Sequence, residues 1–157
     1  MLTLKEGRII DQWSTLMEEC QGEGEGLLQM VESNLDRAKA PGVNWKRESV
    51  SPGWLKGLMG KRRDFLLVSN ERFVTLLMAV SARDYGTSLD VAWYLTGASS
   101  AGAEYVAGLD VFDQQDFSAY VTVVHRAVLR AVEELMQKRN IDIARLDRKS
   151  RGAFAVS

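Results

Sequence analysis

The chain has 157 residues, 46% of them hydrophobic and 26% charged, with a formal net charge of −1 and a single cysteine. That length suits one domain, which can bury roughly 68–70% of its unfolded surface without needing a disulfide or a metal to fold. The composition excludes a disordered chain, the near-zero charge points to neither nucleic acid nor membrane, and Cys20 alone rules out an intramolecular disulfide.

Residues 2–20 carry Leu2, Ile9, Trp13, Leu16, Met17 and Cys20 at spacings of three and four, which predicts a helix. Gly22, Gly24 and Gly26 then break the pattern as a flexible connector. A second helix is expected with Leu27, Val31, Leu35 and Ala38 on one face, ended by Pro41-Gly42. Together these predict an N-terminal helix pair filling residues 1–40.

Residues 43–50 read as an edge strand. Ser51-Pro52-Gly53 reads as the start of a short helix over 52–60, with Trp54, Leu55, Leu58 and Met59 on one side. Phe65 to Val68, Phe73 to Ala82 and Leu89 to Thr96 read as strands, and the last two flank a turn in which Gly86 can supply positive φ. Leu89, Val91, Trp93 and Leu95 alternate with Asp90, Ala92, Tyr94 and Thr96, which implies one buried and one more polar face.

A long amphipathic helix over 113–139 follows. Asp113 is its expected N-cap, and Phe112 and Phe117 are expected to form a hydrophobic staple. Phe117, Val121, Val124, Val128, Ala131 and Leu135 fall within about 40° of one line, so this stripe should face the sheet. Asn140 is the expected left-handed cap. Residues 140–157 form a basic tail, with a helical turn near Ile143 to Leu146 and an extended end over Ala153 to Val156. The fold expected for 1–157 is therefore a single α+β domain: a small antiparallel sheet with a central hairpin, the N-terminal helix pair, and the long C-terminal helix on one face.

Charge is unevenly spread. Residues 41–64 and 138–157 are each basic by four, while 1–40 and 65–137 are acidic by four and five. Trp45 to Arg63 interleaves Lys46, Arg47, Lys56, Lys61, Arg62 and Arg63 with Trp45 and Trp54, and the tail adds Arg145, Arg148, Lys149 and Arg151. Such residues suit phosphates and stacked bases. The plainer reading, a solvated basic loop whose tryptophans belong to the core, carries more weight.

His125 is the only histidine, about 80° from the stripe on the helical wheel. It is a candidate general base at a pocket edge, but a boundary histidine bonded to a carbonyl or water is the stronger expectation. No partner exists for an HExxH zinc site, and no Gly-x-Ser-x-Gly elbow supplies a nucleophile. Asp84, Asp90, Asp110, Asp113 and Asp116 match no calcium loop. Neither a cofactor nor a catalytic residue is implied.

The function expected first is a non-enzymatic binding or assembly module acting through protein contacts or self-association, using Trp45, Trp54, Leu58, Met59, Lys61, Arg62 and Arg63. Nucleic-acid binding through segments 45–63 and 145–151 is the second expectation. A small-ligand protein or enzyme using the open sheet face, near His125, Tyr94 or Asp90, is the third. The charged N-terminal stretch, which has no apolar core, and the lack of any run of roughly 18 apolar residues point to a cytoplasmic protein without a transmembrane segment, and peripheral membrane contact is not expected.

Overall fold

The computed structural model describes residues 8–50, 63–97, 102–152 and 156–157. Five strands form one antiparallel sheet: β1 (Arg8–Met17), β2 (Val43–Val50), β3 (Arg63–Asn70), β4 (Leu76–Tyr85) and β5 (Ser88–Gly97). Their order is β1-β5-β4-β3-β2, so β2 to β5 run as a meander and β1 returns to pair with the last strand. Among the described residues three α-helices accompany them, α1 (Gly24–Ala38), α2 (Gly102–Ala107) and α3 (Val111–Lys138), and a 3-10 turn follows at Ile143–Arg145. The class is α+β, with the long helix near the C-terminus.

The first of the two N-terminal helices is in fact strand β1. Its true period is two: Asp11, Trp13 and Met17 are buried, while Gln12, Ser14 and Leu16 are exposed. Hydrogen bonding to β5 overrides the apparent helical spacing, in which Leu16 stood as a core residue although it is 55% exposed. The glycine-rich stretch is also shorter as a connector than expected, since α1 begins at Gly24. A Cβ there would lie 2.7 Å from the carbonyl oxygen of Ala82, so the bare backbone lets the helix start rest on β4. Leu27, Leu28, Val31 and Leu35 face inward, whereas Ala38 is exposed. Lys39, with φ of 47°, closes the helix in the left-handed conformation.

The β4–β5 hairpin closes through Gly86-Thr87, with Tyr85 opposite Ser88 and Gly86 at φ of 64°. β4 starts at Leu76 rather than Phe73, because Phe73 donates its N–H to Asn70 O and accepts from Leu76 N in a turn. The short helix expected over 52–60 and the extended end near Ala153 lie outside the described residues.

The N-cap of α3 lies three residues earlier than expected. Asp110 is its N-cap and accepts from Asp113 N at 2.8 Å. Asp113 instead sits in the first turn, and Phe112 is 77% exposed, so it staples nothing. The predicted stripe is buried throughout, from Phe117 to Leu135, and Asn140 takes φ of 58°. The buried surface is wider than that stripe. Tyr120, His125, Ala127, Val132 and Met136 are also enclosed, because α3 packs against α1 and the C-terminal tail as well as the sheet.

The main core lies between the helices and the sheet face carrying Leu66, Val68, Met78, Val80, Val91, Trp93 and Leu95. Tyr120 seals its far end by donating to Val68 O at 2.8 Å. A smaller cluster of Phe65, Leu67, Leu77 and Ala79, with Tyr94 beside it, occupies the opposite face. No helix among the described residues is long and apolar enough to cross a membrane.

Candidate functional site

The residues singled out for docking divide between described and undescribed segments. Trp54, Leu58, Met59, Lys61 and Arg62 lie outside the described residues. Trp45 stands on β2, the edge strand, half-buried against the main core. Arg63 opens β3 opposite Val50. The described basic residues between them are held: Lys46 pairs with Glu48 at 3.1 Å, and Arg47 reaches Glu25 and Glu32 on α1. Desolvation works against the Arg47 charge, yet those two carboxylates leave its pKa above the ordinary arginine value.

Beside this edge a cavity of about 270 Å³ opens, lined by Trp45, Lys46, Leu67, Val74 and Leu77 among others. Val74 is 72% exposed. It sits in the β3–β4 turn, and strand-like alternation from Phe73 hides it in the sequence. The readable signal is an aliphatic side chain two residues after the Glu71-Arg72 turn.

The second basic segment is at the other edge. The tail lies along β1 and is fastened at several points. Trp13 Nε1 donates to Asp147 O at 2.7 Å, and Arg151 N donates to Gln12 O at 2.8 Å. Ser150 Oγ donates to Asp11 Oδ2 at 3.0 Å, and Arg148 bonds Glu133. β1 and β2 are four strand intervals apart, roughly 19 Å. Among the described residues, the two basic segments therefore do not share one patch.

His125 belongs to this tail contact and not to a pocket edge. It is fully buried. Its Nδ1 accepts from Trp93 Nε1 at 2.9 Å, which places the proton on Nε2, and Nε2 lies 2.7 Å from Arg148 O, to which it donates. Both nitrogens of the neutral ring are occupied. Burial lowers its pKa, against the opposing pull of the Arg148 carbonyl and Asp11. Trp13 and Trp93 both meet the ring edge-to-face. The sheet separates it from Tyr94 and Asp90, which lie on the other face.

The carboxylates also have structural work. Asp84 Oδ1 accepts from Gly22 N at 2.9 Å, tying the β1–α1 turn to the hairpin. Asp90 pairs with Arg83 at 3.4 Å, and Asp113 and Asp116 hold Arg72. Among the described residues no three His, Cys, Asp or Glu side chains are grouped so as to hold a metal. Cys20 is buried, and desolvation raises its thiol pKa, which favours the unreactive protonated form. No protein-family model matches the chain, and no curated protein matches its sequence.

Proposed function

We propose that the protein is a non-enzymatic binding or assembly module that acts through protein contacts, with its docking surface on the β2 side of the sheet. The observation that supports this reading is an exposed aliphatic residue, Val74, beside an apolar cavity of about 270 Å³ at a sheet edge. An apolar anchor of a partner would fill that cavity, since buried anchors carry most interface energy. Trp54, Leu58 and Met59 supply further apolar contact in this reading, and Lys61, Arg62 and Arg63 speed association. The single cysteine fits a reducing, cytoplasmic location.

The test is affinity purification from the native cell with wild type and Val74→Glu, each with and without nuclease. A partner held by wild type, lost with Val74→Glu and indifferent to nuclease supports the proposal. Material lost on nuclease treatment, and retained by Val74→Glu, would replace it with nucleic-acid binding.

A further inference from the structure

Among the described residues, the tail covers only part of the β1 edge. Gln12 C=O points away from β5, because it accepts from Arg151 N. Backbone groups alternate in direction along an antiparallel strand, so those of Ser14 and Leu16 point outward too. The hairpin agrees: Tyr85 opposite Ser88 closes a two-residue loop, which turns Leu89, Val91 and Trp93 toward β1 at Met17, Thr15 and Trp13. Ser14 and Leu16 therefore offer two N–H and two C=O groups just beyond the point where Arg151 pairs.

A groove of about 740 Å³ begins at Thr15 and Leu16 and runs between the end of β1 and the α3 C-terminus. Its apolar lining includes Leu16, Met136, Ile141 and Leu146. Glu18, Glu19 and Asp142 stand on it, with Arg139 and Arg145 opposed. Arg139 is already bonded to Glu23 at 2.5 Å. At the α3 C-terminus Lys138, like Arg139, is turned to Glu23, so the acidic side of the groove rests on Glu18, Glu19 and Asp142. The other sheet edge differs, because Lys46, Arg47 and Glu48 on β2 guard it against strand pairing. Ser14 and Leu16 carry no such guard.

We propose that the Ser14–Leu16 edge binds an extended peptide in which apolar residues alternate with lysine or arginine, as an added sixth strand continuing the register begun by Arg151. Alternate apolar side chains enter the groove, and the basic ones face Glu18 and Glu19. This inference extends the protein-contact reading to a second surface and a defined partner chemistry.

The full chain, isotopically labelled for amide NMR, is titrated with a blocked peptide alternating valine and lysine, and with its glutamate counterpart. The amide signals of Ser14 and Leu16 should shift and their exchange should slow. The lysine peptide should bind about tenfold more tightly than the glutamate peptide. Leu16→Pro removes one outward N–H without touching the β5 ladder and should weaken binding about tenfold. Should that variant fold poorly, Glu18→Lys with Glu19→Lys leaves the strand intact and should reverse the peptide preference. Equal binding of both peptides, or no shift up to about 1 mM, overturns the inference. Shifts confined to Trp45 to Ser49 overturn it while leaving the β2 docking reading in place.

Discussion

Acidification should destabilise the protein through His125. Burial holds its pKa below the ordinary histidine value, so between the folded and unfolded midpoints the unfolded chain binds more protons. Stability then falls as the pH drops below about 6.5, at no more than about 1.4 kcal/mol per pH unit, and the fall ends where the folded histidine itself titrates. Above that window the group contributes no slope. The geometry gives the reason: a proton on Nδ1 would face the Trp93 N–H, two donors at 2.9 Å inside the core. Asp11 opposes the effect, while Arg126 on the same helix adds to it. His125→Gln cannot titrate, so urea denaturation of wild type and variant at pH 7 and pH 5 isolates the term, because the carboxylates cancel in the difference. At pH 7 the variant should be less stable by about 1–3 kcal/mol, with a buried donor or the Arg148 carbonyl left poorly paired. At pH 5 that gap should narrow by up to about 2 kcal/mol. A gap of the same size at both pH values would mean that the ring is charged or hydrated in the fold, and the assignment of a neutral, enclosed histidine would fail.

Val124→Ala and Val128→Ala should each lower denaturation stability by about 1–3 kcal/mol, because both side chains are fully buried. Arg126→Ala and Arg130→Ala, on the exposed side, should change it by less than about 0.5 kcal/mol. Two helix glycines should respond oppositely in thermal unfolding. Gly24→Ala meets the Ala82 carbonyl and should destabilise by about 1–3 kcal/mol, whereas Gly26→Ala enters open space and should stabilise by about 0.4–1 kcal/mol. Gly152→Ala would place a methyl 2.6 Å from Asp11, so amide exchange should speed up at Arg151 while the core amides stay protected.

How far the sequence could be read depended on whether a segment's partner is local. The α3 stripe, the β4–β5 hairpin and the Asn140 cap each follow from contacts within a few residues or from one uniform apolar face. β1 does not. Its buried face includes Asp11, stabilised by Ser150 from the far end of the chain, and this acid erases the alternation that marks a half-buried strand. The α3 start is ambiguous in sequence because Asp110, Asp113 and Asp116 repeat at the capping interval, and Phe112, exposed in the fold, has a staple's spacing from Phe117. His125 looked like a boundary residue because the wheel considers the sheet alone, and the tail that encloses it contributes a backbone carbonyl, which has no sequence signature. Of the proposed docking surface, the sequence points to Trp45 and the basic run but not to Val74, whose exposure depends on where β4 begins.

The pairing of the first strand with the last has a consequence for assembly. β1 and β5 meet across roughly 70–90 residues of chain, against two residues for the adjacent hairpin, an extra closure entropy of about 3 kcal/mol. The meander can therefore form before β1 joins it. During synthesis β1 emerges first and waits, unpaired, until its partner has left the ribosome. Over that interval Trp13 and Met17 stay exposed, and Ser150 and Arg151, which fasten the strand, arrive later still. Capture of β1 should be the slow step of folding, and its loss the first step of unfolding.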